Sequence, residues 1–429
     1  MSEEPSQKQT EKQDVGKSVL NELTPQANKK SGKRRSTGQA LLIPALAVFS
    51  GLVLGAILII LTDLQVYAAF KQSFGAGILE AFKTVGTAYG ALLRSAFGDP
   101  ARIIAALQGG DALEIRRAFN PFLESLVVST PYIFAGLAVA VGFRAGVFNI
   151  GVEGQLFIGA VAATFVGYSL KGLPAIIHLP LAILAGALGG ALWGFIPGWL
   201  KAKTGAHEVI NTIMLNWIAF RLTDWLLAGP MQRPTSGGMP ITPEVEASAM
   251  MPKFFASPIR FHLGFFIALL VAWLMWFLLF KTTWGFNLRT VGANPNAAKY
   301  GGMNVLVSTV AAMSISGALA GLAGANQVLG VTHSLAMGLS SGYGYDSIAL
   351  ALLGNSSPLG VVLASLLFGF LRNGATQMMV ATQIPIDIIS IIQAFIIVFI
   401  AAPALIRAIF RIKEVKAVEN VFVRGWGGK

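Results

Sequence analysis

Long uncharged runs alternate with short polar breaks along this chain. Residues 40–62, 125–143, 172–200, 261–280, 347–371 and 388–406 each span 19 to 29 positions without an Asp, Glu, Lys or Arg. A bilayer core about 30 Å thick needs roughly 20 apolar helical residues to cross it, so these runs predict membrane helices. With the more interrupted stretches between them they predict about ten membrane elements, at 40–62, 122–142, 149–168, 174–200, 207–228, 261–280, 304–330, 345–354, 359–379 and 385–409. The eighth is too short to cross alone and reads as a half-helix with an extended entry. An insertion over 63–120 holds amphipathic pieces near 75–97 and 101–113. Elements two to five and seven to ten run in opposite senses, the inverted repeat common in transporters. The expected fold class is therefore all-α, a polytopic membrane protein with broken helices and an inverted repeat.

Composition sharpens this reading. Hydrophobic residues make up 54% and charged residues 12%, about half the roughly 25% charge of an ordinary globular domain. A soluble enzyme is excluded, and the absence of cysteine excludes disulfides and thiolate metal sites. The net charge of +12 does not indicate a nucleic-acid partner, because it gathers around the spans. The polar stretch 1–39 carries eight Lys and Arg and is expected to be a disordered cytoplasmic tail. Residues 412–429 are expected to form a second tail on the same side. With both termini cytoplasmic, inner segments hold 20 Lys and Arg and outer segments 10, the asymmetry that sets orientation. The predicted domains are thus the tails and a membrane body, 40–411, whose inner loop 281–303 is basic.

Glycines recur at small spacing, as Gly186, Gly190 and Gly194 and again as Gly317, Gly321 and Gly324. The two runs look alike, which fits either close helix packing or an ancient repeat. Enzyme motifs fail on inspection. Gly16-Lys17-Ser18 ends like a phosphate loop, but the upstream glycine position is Glu11. His207-Glu208 opens like a zinc-protease motif, but the second histidine position is Asn211. No catalytic residue, metal site or cofactor is expected.

Two glycine-interrupted segments carry the polar chemistry. In 142–155, Asn149, Glu153 and Gln155 are costly beside lipid, and Gly146, Gly151 and Gly154 break a helix. Asn149 reads either as a helix cap or as lining of a polar route. The second segment, 333–344, precedes Asp346, which reads as a cap of the half-helix or as a cargo contact. Arg372 on the ninth element calls for a partner such as Asp346 or Asp387. The amides of Asn149, Gln155, Asn326, Gln327 and Asn373, with Glu153 and Asp346, are the candidate pathway residues. Phe148 and Tyr343 are candidate stacking faces. At the basic inner loop, Asn294 and Pro295 predict a short helix over 295–300, a cap followed by proline at the first helical position.

The runs Phe143-Arg-Ala-Gly-Val-Phe-Asn-Ile-Gly-Val-Glu-Gly-Gln155 and Glu208-Val-Ile-Asn-Thr-Ile-Met-Leu-Asn216 resemble permease subunits of nucleoside-type ATP-binding-cassette importers. That group includes ribose, galactose and branched-chain amino-acid permeases. Arg289-Thr-Val-Gly-Ala-Asn-Pro-Asn-Ala-Ala-Lys-Tyr-Gly301 is similar to the group's cytoplasmic coupling loop. The resemblance implies a nucleoside or similar small polar solute as cargo, moved by alternating access. It implies as partners a second permease subunit, two cytoplasmic ATP-binding subunits and an extracellular substrate-binding lipoprotein. It assigns ATPase coupling to Arg289, Asn294, Ala297, Ala298, Lys299, Tyr300 and Gly301. The alternatives are a sugar permease of the same group and a self-sufficient secondary transporter driven by ion-coupling carboxylates.

Overall fold

The computed structural model describes residues 37–340, 342–382 and 386–411. The chain divides into two units, Met1–Leu46 and Ala47–Lys429. In the first, only the opening turns of one helix are described, so the expected tail at 1–39 lies almost wholly outside the described residues, as does the tail at 412–429. Every contact described below lies within the second unit.

Among the described residues there is no named strand, only the isolated bridges Ile241–Ala336 and Lys253–His262. The described residues form sixteen α-helices, in order α1 (Thr37–Thr62), α2 (Leu64–Gln72), α3 (Phe74–Phe97), α4 (Pro100–Gly109), α5 (Ala112–Arg144), α6 (Val152–Ser169), α7 (Ala175–Thr204), α8 (Glu208–Ala228), α9 (Gly264–Lys281), α10 (Thr283–Ala293), α11 (Pro295–Tyr300), α12 (Val305–Gln327), α13 (Tyr343–Leu353), α14 (Pro358–Thr382), α15 (Ile386–Ala401) and α16 (Pro403–Ile409). Among the described residues six candidate spans, in α1, α5, α7, α9, α14 and α12 with the π-turn Val328–Thr332 that continues it, are long and apolar enough to cross a membrane. The other expected elements are helical as well. However, α6 carries Glu153 and Gln155, α8 carries Asn211, Asn216, Arg221 and Asp224, and α13 and α15 have 11 and 16 residues. The chain is an all-α, polytopic membrane protein.

The second element starts ten residues earlier than its apolar run suggested. Helix α5 begins at Ala112, capped by the Asp111 side chain on the Leu113 N–H, and continues through Pro121 and Pro131 to Arg144. The insertion before it is a string of helices with local caps: Asp63, Ser73 and Asp99 accept from Gln65, Ala76 and Ala101, each satisfying one of the orphan donors at a helix start. It also joins the body. Phe97 packs on Phe370 at 4.7 Å between ring centres, and Ser125 donates to the Ala96 carbonyl oxygen at 2.8 Å.

The glycine runs explain the closest packing. On α7, Gly186, Gly190 and Gly194 are buried, while Leu181, Leu184, Leu188, Leu192, Phe195 and Trp199 are exposed along the opposite stripe. A Cβ on Gly190 would strike the Gly317 carbonyl oxygen, and one on Gly321 would strike the Gly186 carbonyl oxygen. The two similar runs are therefore partners in one α7–α12 contact. Lipid gives no hydrophobic drive between helices, so backbone approach at small residues supplies the packing.

Candidate functional site

The α5–α6 loop and the half-helix α13 meet in the interior. At 11 residues, α13 is about 16 Å long, half of a bilayer core. Its cap residue, Gly342 with φ +93°, has no side chain to offer, and Ser340 Oγ accepts the Tyr343 N–H at 3.2 Å. Glu153, in the first turn of α6, accepts the next N–H, that of Gly344, at 2.6 Å. Glu153 is 3% exposed, and Gly344 is required there because a Cβ would collide with the Glu153 backbone. At the other end Arg144, the last residue of α5, donates from Nε to the Ser356 carbonyl oxygen at 2.9 Å and from Nη2 to that of Asn355 at 3.1 Å. A carboxylate thus meets the positive end of α13 and a guanidinium its negative end, the polarity favoured by the helix dipole.

The loop that carries both ends of this clamp is itself pinned. Asn149 donates to Gln155 Oε1 and to Ser316 Oγ, both at 2.8 Å, and its own oxygen receives the Gly151 N–H at 2.9 Å. Asn149 therefore closes an Asx-type turn, and Gly151 occupies the cap position of α6. From α8, Asn216 accepts the Gly154 N–H at 2.9 Å and donates to the Ile150 carbonyl oxygen at 3.0 Å. Buried amides here replace the backbone partners that an unbroken helix would provide.

Asp346 does not cap α13. Its carboxylate receives the Tyr132 hydroxyl at 2.8 Å and pairs with Arg372 at 3.2 Å, while Arg372 also donates to the Tyr132 oxygen at 2.6 Å. Tyr343 packs edge-on to Tyr132 at 4.8 Å, and the Arg372 guanidinium lies 5.2 Å from the Tyr343 ring centre. The side chain of Asp387, the other partner considered for Arg372, lies outside the described residues. Asn373 sits one residue further along α14, but its amide is spent on the carbonyl oxygens of Ser95 and Pro121 and on Ser125 Oγ. It ties the insertion to α5 and α14. Asn326 is buried, and neither atom of its amide has a hydrogen-bond partner among the described residues. Gln327 beside it is half-buried. Phe148 stacks on Phe143 at 5.2 Å, nearly parallel.

A cavity of about 1330 Å³ opens beside the clamp, lined by Phe143, Arg144, Phe148, Arg289, Lys299 and Ile348 among others. Helix α11 borders it, capped as its sequence predicts: Asn294 Oδ1 accepts the N–H groups of Asn296 at 3.0 Å and Ala297 at 3.1 Å. Ala298 is fully buried, so it fixes α11 to the body and offers no surface to a partner, whereas Ala297 and Gly301 are exposed and Tyr300 is 97% exposed. The preceding α10 touches the clamp loop directly, for a Cβ on Gly292 would strike the Arg144 carbonyl oxygen. Arg289 donates to the Leu279 carbonyl oxygen at 2.9 Å, bracing α10 on α9.

Sequence reasoning passed over Arg144, Asn216, Ser316 and Tyr132. Arg144 and Asn216 fall inside the runs that carried the family resemblance, but the inner-loop position of Arg144 marked it only as an orienting charge. Nothing in the sequence marks Tyr132 or Ser316 as more than a polar residue in an apolar helix.

Residues 122–401 match the family model described as the permease component of the branched-chain amino acid transport system. The chain belongs to this family, and it is a permease subunit of an ATP-binding-cassette transporter and not itself an enzyme. It is 46% identical over 289 residues to the guanosine ABC transporter permease protein NupP of Bacillus subtilis, covering 66% of this chain and 82% of the relative. It is 33% identical over 310 residues to the nucleoside ABC transporter permease protein NupB of Lactococcus lactis, covering 70% and 85%. To a glucose ABC transporter permease protein of Haloferax volcanii it is 36% identical over 289 residues, covering 65% and 75%. No solved structure matches.

Proposed function

We propose that this subunit forms the membrane pathway of an importer for a nucleoside, by alternating access driven by ATPase subunits docked on α11. The observation that carries the class of cargo is the likeness to the guanosine permease, 46% identical over 289 residues. A glucose permease at 36% identity supports the second reading, a hexose or pentose as cargo. A secondary transporter would need carboxylates available for ion coupling; Glu153 holds Gly344 and Asp346 holds Tyr132 and Arg372, while the Asp387 side chain lies outside the described residues.

The geometry supports a route for coupling. The exposed α11 continues into α10, α10 abuts the Arg144–Gly146 backbone, and the same loop grips both ends of α13. A push on α11 would therefore move the half-helix as a lever. In this reading the partners are a second permease subunit, two ATP-binding subunits and an external receptor lipoprotein. Both termini and α11 face the cytoplasm, and the loop after α8 faces outward. The chain has no cysteine, so Ser236→Cys should react with an impermeant maleimide on intact cells and Asn294→Cys should not. The cargo assignment is tested by competing unlabelled guanosine, adenosine, ribose and glucose against labelled guanosine uptake in cells expressing the whole transporter. Nucleosides should compete at concentrations where the sugars do not. Sugar competition alone would establish the second reading.

A further inference from the structure

Helix α8 presents an exposed stripe that lipid does not suit. Its buried residues Thr212, Asn216, Ala219, Thr223 and Leu227 repeat at helical spacing and pack chiefly on α6. The opposite stripe holds Ile210, Met214, Trp217, Ile218 and Trp225, all exposed. With them stands Arg221, whose side chain is 77% exposed. Arg221 meets Asp224, one turn on, at 3.4 Å, a single contact for a group that carries several N–H donors. The exposed stripe of α7 between Leu181 and Trp199 holds no charge. Neither does that of α9, which runs through Phe266, Leu270, Trp273 and Phe277. Those two faces have the chemistry of lipid contact, and the α8 face does not.

Connectivity carries this charged pair into the bilayer. Gly198, near the end of α7, packs on Met313, whereas Gly264, at the start of α9, packs on Asn326. Met313 and Asn326 lie about 20 Å apart along α12. Helix α8 therefore joins opposite ends of the bundle and crosses with it. At 21 residues it is about 31 Å long, the thickness of a bilayer core. Arg221 lies about 20 Å from its Glu208 end and about 10 Å from its Ala228 end. An arginine at that depth faces protein or a water-filled route and is paired with an acceptor.

We propose that the α8 stripe is the surface on which the second permease subunit docks, with Arg221 bonded to a carboxylate that the partner's facing helix carries at the same depth. The inference rests on the reading of this chain as one of two permease subunits. An axis along the membrane normal keeps two related subunits in the same orientation and brings equal depths together. A copy of this chain supplies the acceptor, because the Asp224 of each copy then faces the Arg221 of the other in a net-neutral cluster of four charges. Trp217 and Trp225 set large rings on either side of this pair, and Trp and Arg are the residue types that anchor protein interfaces. A lipid chain offers Arg221 no acceptor.

The test is photocrosslinking in proteoliposomes that hold the whole transporter. Benzoylphenylalanine takes the place of Trp217 on α8, Leu188 on α7 or Trp273 on α9 in separate preparations, and adducts are identified by peptide mass spectrometry. The probe at 217 should join two permease subunits, a copy or a companion permease, while the probes at 188 and 273 should label lipid. Arg221→Leu should lower the permease adduct at 217 by about tenfold, the loss expected for a hydrogen bond to a charged group. Arg221→Lys, which keeps the charge, should lower it less. Lipid as the only product at 217, capture of the receptor or an ATP-binding subunit there, or permease adducts of equal yield at all three positions would overturn the proposal. So would a yield in Arg221→Leu equal to that of the parent. ATP-dependent guanosine uptake is measured in the same vesicles before irradiation. Uptake with a lipid-only adduct at 217 would overturn the docking surface and leave guanosine import standing, whereas a permease adduct without uptake would support the surface and count against import.

Discussion

Glu153 receives the Gly344 N–H at 2.6 Å across 191 positions of sequence, and nine residues before it Arg144 holds the far end of the same half-helix. One loop therefore fixes both the depth and the tilt of α13. A buried N–H that loses its only acceptor costs about 1–3 kcal/mol. Glu153→Ala should lower the thermal stability of the detergent-solubilised protein by this order and abolish uptake. Glu153→Gln keeps an acceptor oxygen and should retain part of both. Wild-type melting of Glu153→Ala would show that the clamp does not hold α13.

The α7–α12 contact makes a sharper packing prediction. Gly190→Ala places a methyl group against the Gly317 carbonyl oxygen and Gly321, and overpacking typically costs about 1–3 kcal/mol. Gly86, in the interior of α3, has nothing within 4 Å of an added Cβ. Gly86→Ala should stabilise by about 0.5–1 kcal/mol through helix propensity. Thermal unfolding of the two variants side by side should separate them in opposite directions.

Coupling can be tested at the surface of α11 without disturbing its anchor. Tyr300 and Ala297 are exposed while Ala298 is buried. Tyr300→Ala and Ala297→Arg should insert and melt normally yet reduce stimulation of the partner ATPase several-fold. Ala298→Trp should fail earlier, in folding. Normal ATPase stimulation in both surface variants would remove α11 as the docking element.

A pH effect is expected outside the spans. His262, before α9, is driven down to about 4 chiefly by desolvation, with His333, Lys253 and Arg260 adding like charge. Its folded value lies below the unfolded value of about 6.5, so the unfolded state binds the extra proton first as pH falls. The stability it contributes is present above about pH 6.5 and is lost progressively toward pH 4. Melting temperature should fall between pH 7 and pH 5, and His262→Asn should flatten that slope. An equal slope in the variant would assign the effect to other groups.

Much of the architecture was legible in the sequence for physical reasons. Asn294 followed by Pro295 marks a helix start through local bonds alone, and α11 begins there. The short apolar run before Gly354, flanked by glycines, could only form a half-helix. The start of α5 was hidden because Glu114, Arg116, Arg117, Asn120 and Pro121 interrupt hydrophobicity without interrupting the helix. The clamp was hidden for a different reason. Glu153 was recognisable as costly in a membrane, but its partner is a backbone N–H, which has no sequence signature. Asn373 showed the reverse. A span amide suggested a polar route, yet its three acceptors come from the α3–α5 region, whose packing on α14 no periodicity announced.

The central claim, a permease whose nucleoside transport is powered by partner ATPases, is tested most directly in proteoliposomes. The chain is reconstituted with its companion permease, ATP-binding subunits and receptor lipoprotein, and labelled guanosine is followed with ATP supplied on the side that carries α11. The account predicts ATP-dependent accumulation above the external concentration, lost when ATP is omitted or when Glu153→Ala replaces the wild-type chain. Accumulation driven by an ion gradient without ATP, or none of guanosine under any condition, would contradict it.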